Sequence, residues 1–227
     1  MVSRLRSDES GFTLIELLVS ALLTVVVLVI VTGIFVSMNA TAGSVRSVTA
    51  ATTAGQAVSN SIERVARNSS GTPDTPGMAL PPLPGGGPGD QLLTARTLGS
   101  GSTALWTCSY WYYSATDKTI RYKTSSVAIP TPTAASQASW SLISDGVSFA
   151  TGTTVVFTIS SPSPSPSPSP SPSPSPTQTL TLPPTQTLTL SFRESLGTSA
   201  PVTFQSSTTD QPFTETTYGG PSSCLPG

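Results

Sequence analysis

Apolar positions are crowded at one end of the chain. Phe12 to Val36 reads FTLIELLVSALLTVVVLVIVTGIFV, with Glu16 its only charge, and from Leu17 no charge follows until Arg46. Crossing a hydrocarbon core of about 30 Å takes about 20 helical residues at 1.5 Å each, so the segment is long enough to span with some tilt. The pattern then changes from continuous to periodic. Val48, Ala51, Gly55, Val58, Ile62 and Val65 recur at intervals of 3 and 4 residues, with Glu63, Arg64 and Arg67 off the stripe. That spacing predicts one amphipathic helical face. Asn68-Ser69-Ser70-Gly71 followed by Pro73 supplies the stop. A helix from Phe12 to about Arg67 is roughly 84 Å long, too long for one small domain.

Downstream the period shortens to two. Ala104 to Tyr113 (ALWTCSYWYY) and Thr119 to Lys123 (TIRYK) flank Ser114-Ala115-Thr116-Asp117-Lys118 and predict a hairpin. Trp140 to Ser144 and Val147 to Phe149 are short apolar patches around Asp145-Gly146. Thr153 to Ser160 reads as a strong strand, Leu188 to Arg193 alternates cleanly, and Val202 to Gln205 is a weaker candidate. Together these predict an α+β fold: one long N-terminal helix, membrane-spanning in its first half and amphipathic in its second, packed on an antiparallel β-sheet head.

Two segments fit neither period. Thr72 to Asp90 is a Pro/Gly loop; it has no GK[ST] or G-x-G-x-x-G, so its glycines do not form a phosphate cradle. Ser161 to Pro176 is eight Ser-Pro repeats. Proline donates nothing to a ladder, so this predicts a disordered, polyproline-II-like insertion between strands, roughly 50 Å if fully extended. TQTLTL then occurs at Thr177 and again at Thr185, across Pro183-Pro184, a duplication that points to repeat slippage. An O-glycosylated stalk and a proline-rich ligand tract are the functional alternatives to a plain spacer.

Composition narrows the chemistry. Only 9% of the 227 residues are charged, against roughly 25% in an ordinary domain. Mean hydropathy is nevertheless +0.10, because the apolar helix offsets the Ser, Thr, Pro and Gly elsewhere. There is no histidine, hence no Ser-His or Cys-His pair and no imidazole base or zinc ligand. Asp117 and Asp145 read as turn acids, so no catalytic residues, metal or cofactor are expected. A net charge of −1 gives no basic field to attract nucleic acid in bulk. The aromatic run Trp106, Tyr110, Trp111, Tyr112 and Tyr113 is read as packing on one face of a half-exposed sheet, with a ligand-stacking face as the alternative. Cys108 and Cys224 are the only thiols. Outside the membrane such a pair can be oxidised, closing a loop of over 100 residues with about 4–5 kcal/mol of chain-entropy stabilisation. Free or intermolecular thiols are the other state.

The apolar segment admits three readings. Arg4 and Arg6 with Ala40-Thr41-Ala42 resemble a secretory signal, but its apolar stretch is usually about 7–15 residues. A plain signal anchor fits the length. Neither explains Glu16, since a carboxylate in a span is costly and calls for a named partner. The third reading does. Ser10-Gly11-Phe12-Thr13-Leu14-Ile15-Glu16-Leu17-Leu18-Val19 resembles the N-terminal processing motif of type IV pilins and type II secretion pseudopilins. The succession WSLISDGVSF, TVVFTIS, TLTLSFR is similar to heads of minor pilins of the PilW/PulJ type.

The resemblance implies a set of roles. A prepilin peptidase would cut between Gly11 and Phe12 on the cytoplasmic side, Phe12 would be N-methylated, and Glu16 would dock subunits during assembly. The freed amine, with a pKa near 7.7–8.0, is a cation that the Glu16 of a neighbouring subunit can meet; each charge is costly alone in lipid and tolerable as a pair. A tolerated interfacial acid is the plainer reading of Glu16. Gly33, costing about 1 kcal/mol in a helix, is either a place where the helix loosens or a small packing residue. Many pilins staple a C-terminal loop, usually across a shorter span than Cys108 to Cys224. The organisation implied is 1–11 a cleaved leader, 12–37 the transmembrane and assembly helix, 38–71 its amphipathic continuation, 72–90 the Pro/Gly loop, 91–160 the first part of the β head, 161–176 the Ser-Pro linker and 177–227 the second part with the C-terminal tail. The expected partners are the peptidase, other pilin or pseudopilin subunits and the membrane. The expected location is the cytoplasmic (inner) membrane, single-pass with the N-terminus inside, then a surface or periplasmic filament. The alternative function is a membrane-anchored extracellular binding or stalk protein with no filament role.

Overall fold

A computed structural model describes residues 13–71, 76–99, 105–161, 185–197, 200–210 and 224. The chain divides into two compact units, Met1–Arg46 and Ser47–Gly227. A single helix, α1 (Leu14–Arg67), contributes residues to both and runs without a break through Gly33.

In the second unit α1 buries Ala51, Gly55, Val58, Ile62 and Ala66. The stripe is the expected one with its ends shifted: Val48 is exposed, and Ala66 rather than Val65 is fully covered. The helix ends as its stop signal predicts, with Asn68 Nδ2 donating to the Arg64 carbonyl at 2.7 Å and Ser69 Oγ to that of Ala66 at 2.7 Å. These side chains satisfy two of the terminal carbonyls that a helix leaves open.

Among the described residues nine strands follow, in two antiparallel sheets. The first runs in the order β1 (Met78–Ala79), β2 (Gln91–Leu98), β3 (Trp106–Ser114), β4 (Thr119–Ser125) and β5 (Ser141–Asp145). The expected hairpin is β3–β4, closing at Ser114 and Thr119 with Lys118 at φ 55°. A one-turn helix, α2 (Ala134–Gln137), capped by Thr133, lies between β4 and β5. In the second sheet β8 (Thr187–Glu194) pairs with β9 (Val202–Thr209) along one edge, and with β6 (Val147–Phe149) and β7 (Phe157–Ser160) along the other.

The structure shortens one expected strand and adds two features to the outline. β2 carries no period-two pattern, because it is buried on both faces, and it was not anticipated as a strand. Of Thr153 to Ser160 only Phe157–Ser160 is strand; ahead of it the Val156 amide donates to the Gln91 side-chain oxygen at 2.6 Å, which also accepts from the Phe157 amide at 3.1 Å. The patches around Gly146 belong to different sheets. Gly146, at φ 90°, is the corner between them, and a Cβ there would lie 2.2 Å from the Ser195 carbonyl oxygen. Such a φ strongly favours glycine.

Two cores result. One gathers Val58, Ile62 and Ala66 of α1 with Trp111, Tyr113 and Ile120 of the first sheet and Leu188, Leu190 and Phe192 of the second. The other lies on the opposite face of β3, where Cys108, Tyr110 and Tyr112 pack with Leu92, Ile129, Trp140 and Cys224. Polar side chains splice the sheets. The Gln91 amide bonds to β7 backbone at both its oxygen and its nitrogen. Gln186 does the same to Met78, accepting from its N–H at 2.9 Å and donating to its carbonyl at 3.0 Å.

The Ser-Pro repeats beyond Ser161, the first TQTLTL copy, the leader with Gly11 and Phe12, and most of the tail lie outside the described residues.

Candidate functional site

Among its described residues, 13–46, the first unit is an apolar helix. Thr13 caps it: its carbonyl accepts from the Glu16 and Leu17 amides at 3.0 and 3.2 Å, and its hydroxyl lies 3.4 Å from the Glu16 amide. Glu16 therefore sits in the first turn, where the partial positive charge of the helix N-terminus favours a carboxylate. It makes no ion pair among the described residues.

From Leu14 to Val45 the large apolar side chains are exposed, Leu14 at 84% and Val31 at 58%. The polar side chains among them turn inward to their own helix. Ser20, Thr24, Thr32, Asn39 and Thr41 each donate to a carbonyl three or four residues back, at 2.7–3.0 Å. Hydroxyls satisfied in this way cost little in hydrocarbon. By length and composition α1 can cross a membrane. Glu16 alone in the apolar stretch is a charge that self-satisfaction does not neutralise. A Cβ at Gly33 would meet nothing within 4 Å in this chain.

The second unit holds the remaining candidates. Cys108 on β3 is disulfide-bonded to Cys224, with Cα atoms 5.5 Å apart and both residues buried. The bond ties the C-terminal region to the second core. Trp106, Tyr110, Trp111, Tyr112 and Tyr113 are all at most 3% exposed. They pack on both faces of β3, not on one as expected, and present no ligand-stacking face. Arg96 covers the Trp106 ring, its guanidinium carbon 3.9 Å from the centroid. The Trp111 indole donates to Ser61 of α1 at 3.1 Å. Asp90 receives the Tyr112 hydroxyl and the Gly87 and Ala115 amides. Burial, together with this hydrogen bond to Asp90, pushes the Tyr112 phenol up to about 12. Asp117 closes its turn by accepting from Ser114 at 3.1 Å.

Among the described residues two buried acids, Glu194 and Asp210, were missed. Asp210 accepts from the Gln186 amide at 2.6 Å, and burial raises its carboxyl above the usual range. Glu194 is completely buried and is pushed up to about 7, chiefly by desolvation. A signal for it existed: in LTLSFRE it falls two residues after Phe192, on the inward side. Among the described residues no group of three or more His, Cys, Asp or Glu could hold a metal.

No curated protein and no solved structure matches the chain. Residues 6–32 match the prokaryotic N-terminal methylation motif. That match covers the predicted cleavage site, the capped first turn and most of the apolar stretch. With Glu16 standing alone in that stretch, the chain bears the type IV pilin and pseudopilin signature.

Proposed function

We propose that this protein is a structural subunit of minor rank in a type IV pilus, a competence pilus or a type II secretion pseudopilus. A prepilin peptidase cuts after Gly11 on the cytoplasmic side, and Phe12 becomes the methylated N-terminus. The processed chain waits in the inner membrane with its N-terminus inside, then moves into a filament by helix packing. Glu16 pairs with the Phe12 amine of a neighbouring subunit. Losing either member leaves the other uncompensated in a low-dielectric setting. The head folds outside the membrane, where the Cys108–Cys224 disulfide is stable.

The observation that carries this reading is Glu16, the one charge in the exposed apolar stretch of α1 from Leu14 to Val45, in its first turn and inside the methylation motif. N-terminal sequencing and mass spectrometry of the mature protein test it. A methylated Phe12 terminus is the expected result; a terminus at Gly43 or Met1 refutes it. Glu16→Ala is expected to be processed normally yet absent from filaments, and normal incorporation would remove the assembly role of Glu16.

A further inference from the structure

The corner at Gly146 is where the two sheets meet, and its bonds converge on few atoms. The Gly146 and Val147 amides both donate to the Lys118 carbonyl at 2.9 Å, and the Ser195 amide donates to the Gly146 carbonyl at 3.1 Å. Glu194 lies beside this corner, 0% exposed. Its Oε1 accepts from the Ser144 hydroxyl of β5 at 2.5 Å, so one carboxyl bridges the first sheet to the second. Its Oε2 is buried with no hydrogen-bond partner among the described residues.

We propose that Glu194 is a proton-operated clasp between the two sheets: as a neutral acid it holds the Gly146 corner shut, and as a carboxylate it releases it. A neutral carboxyl accepts from Ser144 and leaves no net charge in the core. An ionised one needs a cation or water, and among the described residues the surrounding elements provide no cation at hydrogen-bond distance. On β5 the neighbouring charge is Asp145, which adds repulsion. In the β3–β4 turn Asp117 is bound to Ser114, and Lys118 contributes its carbonyl to the corner. On β4 Arg121 donates to the Trp140 carbonyl. On β8 Arg193 points to the other face and donates to Thr151. β6 and β9 carry no titratable side chain. Burial therefore dominates the raised Glu194 carboxyl, the Ser144 bond opposing it and Asp145 reinforcing it.

Linkage sets the sign. The closed corner keeps its proton to about pH 7, and the open one loses it near the ordinary 4.5. Opening is thus favoured as pH rises between those values, by about tenfold per pH unit, and levels off above them. The test is amide hydrogen exchange on the full chain in detergent micelles, corrected for intrinsic rates. The Val147 and Ser195 amides are expected to lose protection about tenfold per pH unit from pH 5 to 7 and then plateau, while the Trp111 amide of β3 stays protected. Glu194→Gln, which keeps the shape without the charge, is expected to be flat with pH. Ser144→Ala is expected to move the plateau to higher pH and Asp145→Asn to lower pH; these two carry the test if Glu194→Gln fails to fold. A flat wild-type profile, an unchanged slope in Glu194→Gln, equal loss of protection at Trp111, or plateaus that move in neither of the other variants each overturns the clasp.

Discussion

Gly55 offers a sharp test of how α1 is seated in the second unit. Replacing it with alanine makes a better helix residue, by about 1 kcal/mol. The new Cβ would lie 2.1, 2.3 and 2.7 Å from three atoms of the Phe204 ring. That ring is held in turn, stacked on Phe192 with centroids 5.2 Å apart and planes at 19°. Forcing a methyl into a packed site typically costs about 1–3 kcal/mol, so overpacking outweighs propensity and Gly55→Ala loses about 1 kcal/mol net. For a unit of this size that lowers Tm by about 2–4 °C. Phe204→Leu alone loses the ring pair, about 0.5–1.5 kcal/mol. In the double variant the shorter side chain makes room, the helix gain returns, and the two effects couple by about 1–2 kcal/mol. Thermal melts followed by near-UV circular dichroism of the buried aromatics read all four corners of the cycle. Gly33→Ala, whose methyl meets no atom of this chain within 4 Å, serves as the control and leaves the melt of the second unit unchanged. If Gly55→Ala raises Tm, or the double variant is the sum of the singles, the close approach of α1 to β9 is wrong.

Other outcomes follow from the same geometry. The Cys108→Ser/Cys224→Ser double variant loses about 5 kcal/mol by loop entropy for a separation of 116 residues; urea unfolding of the two forms measures it, and a loss under 1 kcal/mol refutes the entropic account. Ser61→Ala strands the buried Trp111 N–H and costs about 1–3 kcal/mol, whereas Trp111→Phe/Ser61→Ala together recover part of that loss. In ultraviolet titration the Tyr112 phenol stays neutral to about pH 12. Because the unfolded phenol ionises near 10, its contribution to stability is complete below pH 10 and lost as pH rises through 12; Tyr112→Phe removes that part of the alkaline transition.

How far the fold could be read from residues depended on how many faces each element buries. α1 and β8 each cover one side, so period 3.6 in Ala51–Ile62 and period 2 in Leu188–Phe192 showed through. β2 is enclosed on both sides, and QLLTARTL offers no alternation to detect. β3 is enclosed too, and its aromatic density identified a strand while hiding the second core that covers Tyr110 and Tyr112. The split at Gly146 was invisible because a corner and a tight hairpin use the same Asp-Gly pair; only the partners of β5 and β6 distinguish them. Glu16 was legible because a single charge stands out in an apolar run and falls at a fixed distance from Gly11-Phe12. Glu194 was passed over because an acid ending a strand is usually solvated, although strict alternation from Leu188 already placed it inside.

Ser160 and Thr187 are rung partners across β7 and β8. Everything from 161 to 186 therefore departs and returns at a single step of the ladder. Closing such an excursion costs only about 0.6 kcal/mol more for each doubling of its length. A tract of identical dipeptides, prone to gain or lose copies during replication, thus occupies a place where copy number is nearly neutral for folding. In folding terms the head can serve as a constant frame for a segment of any length.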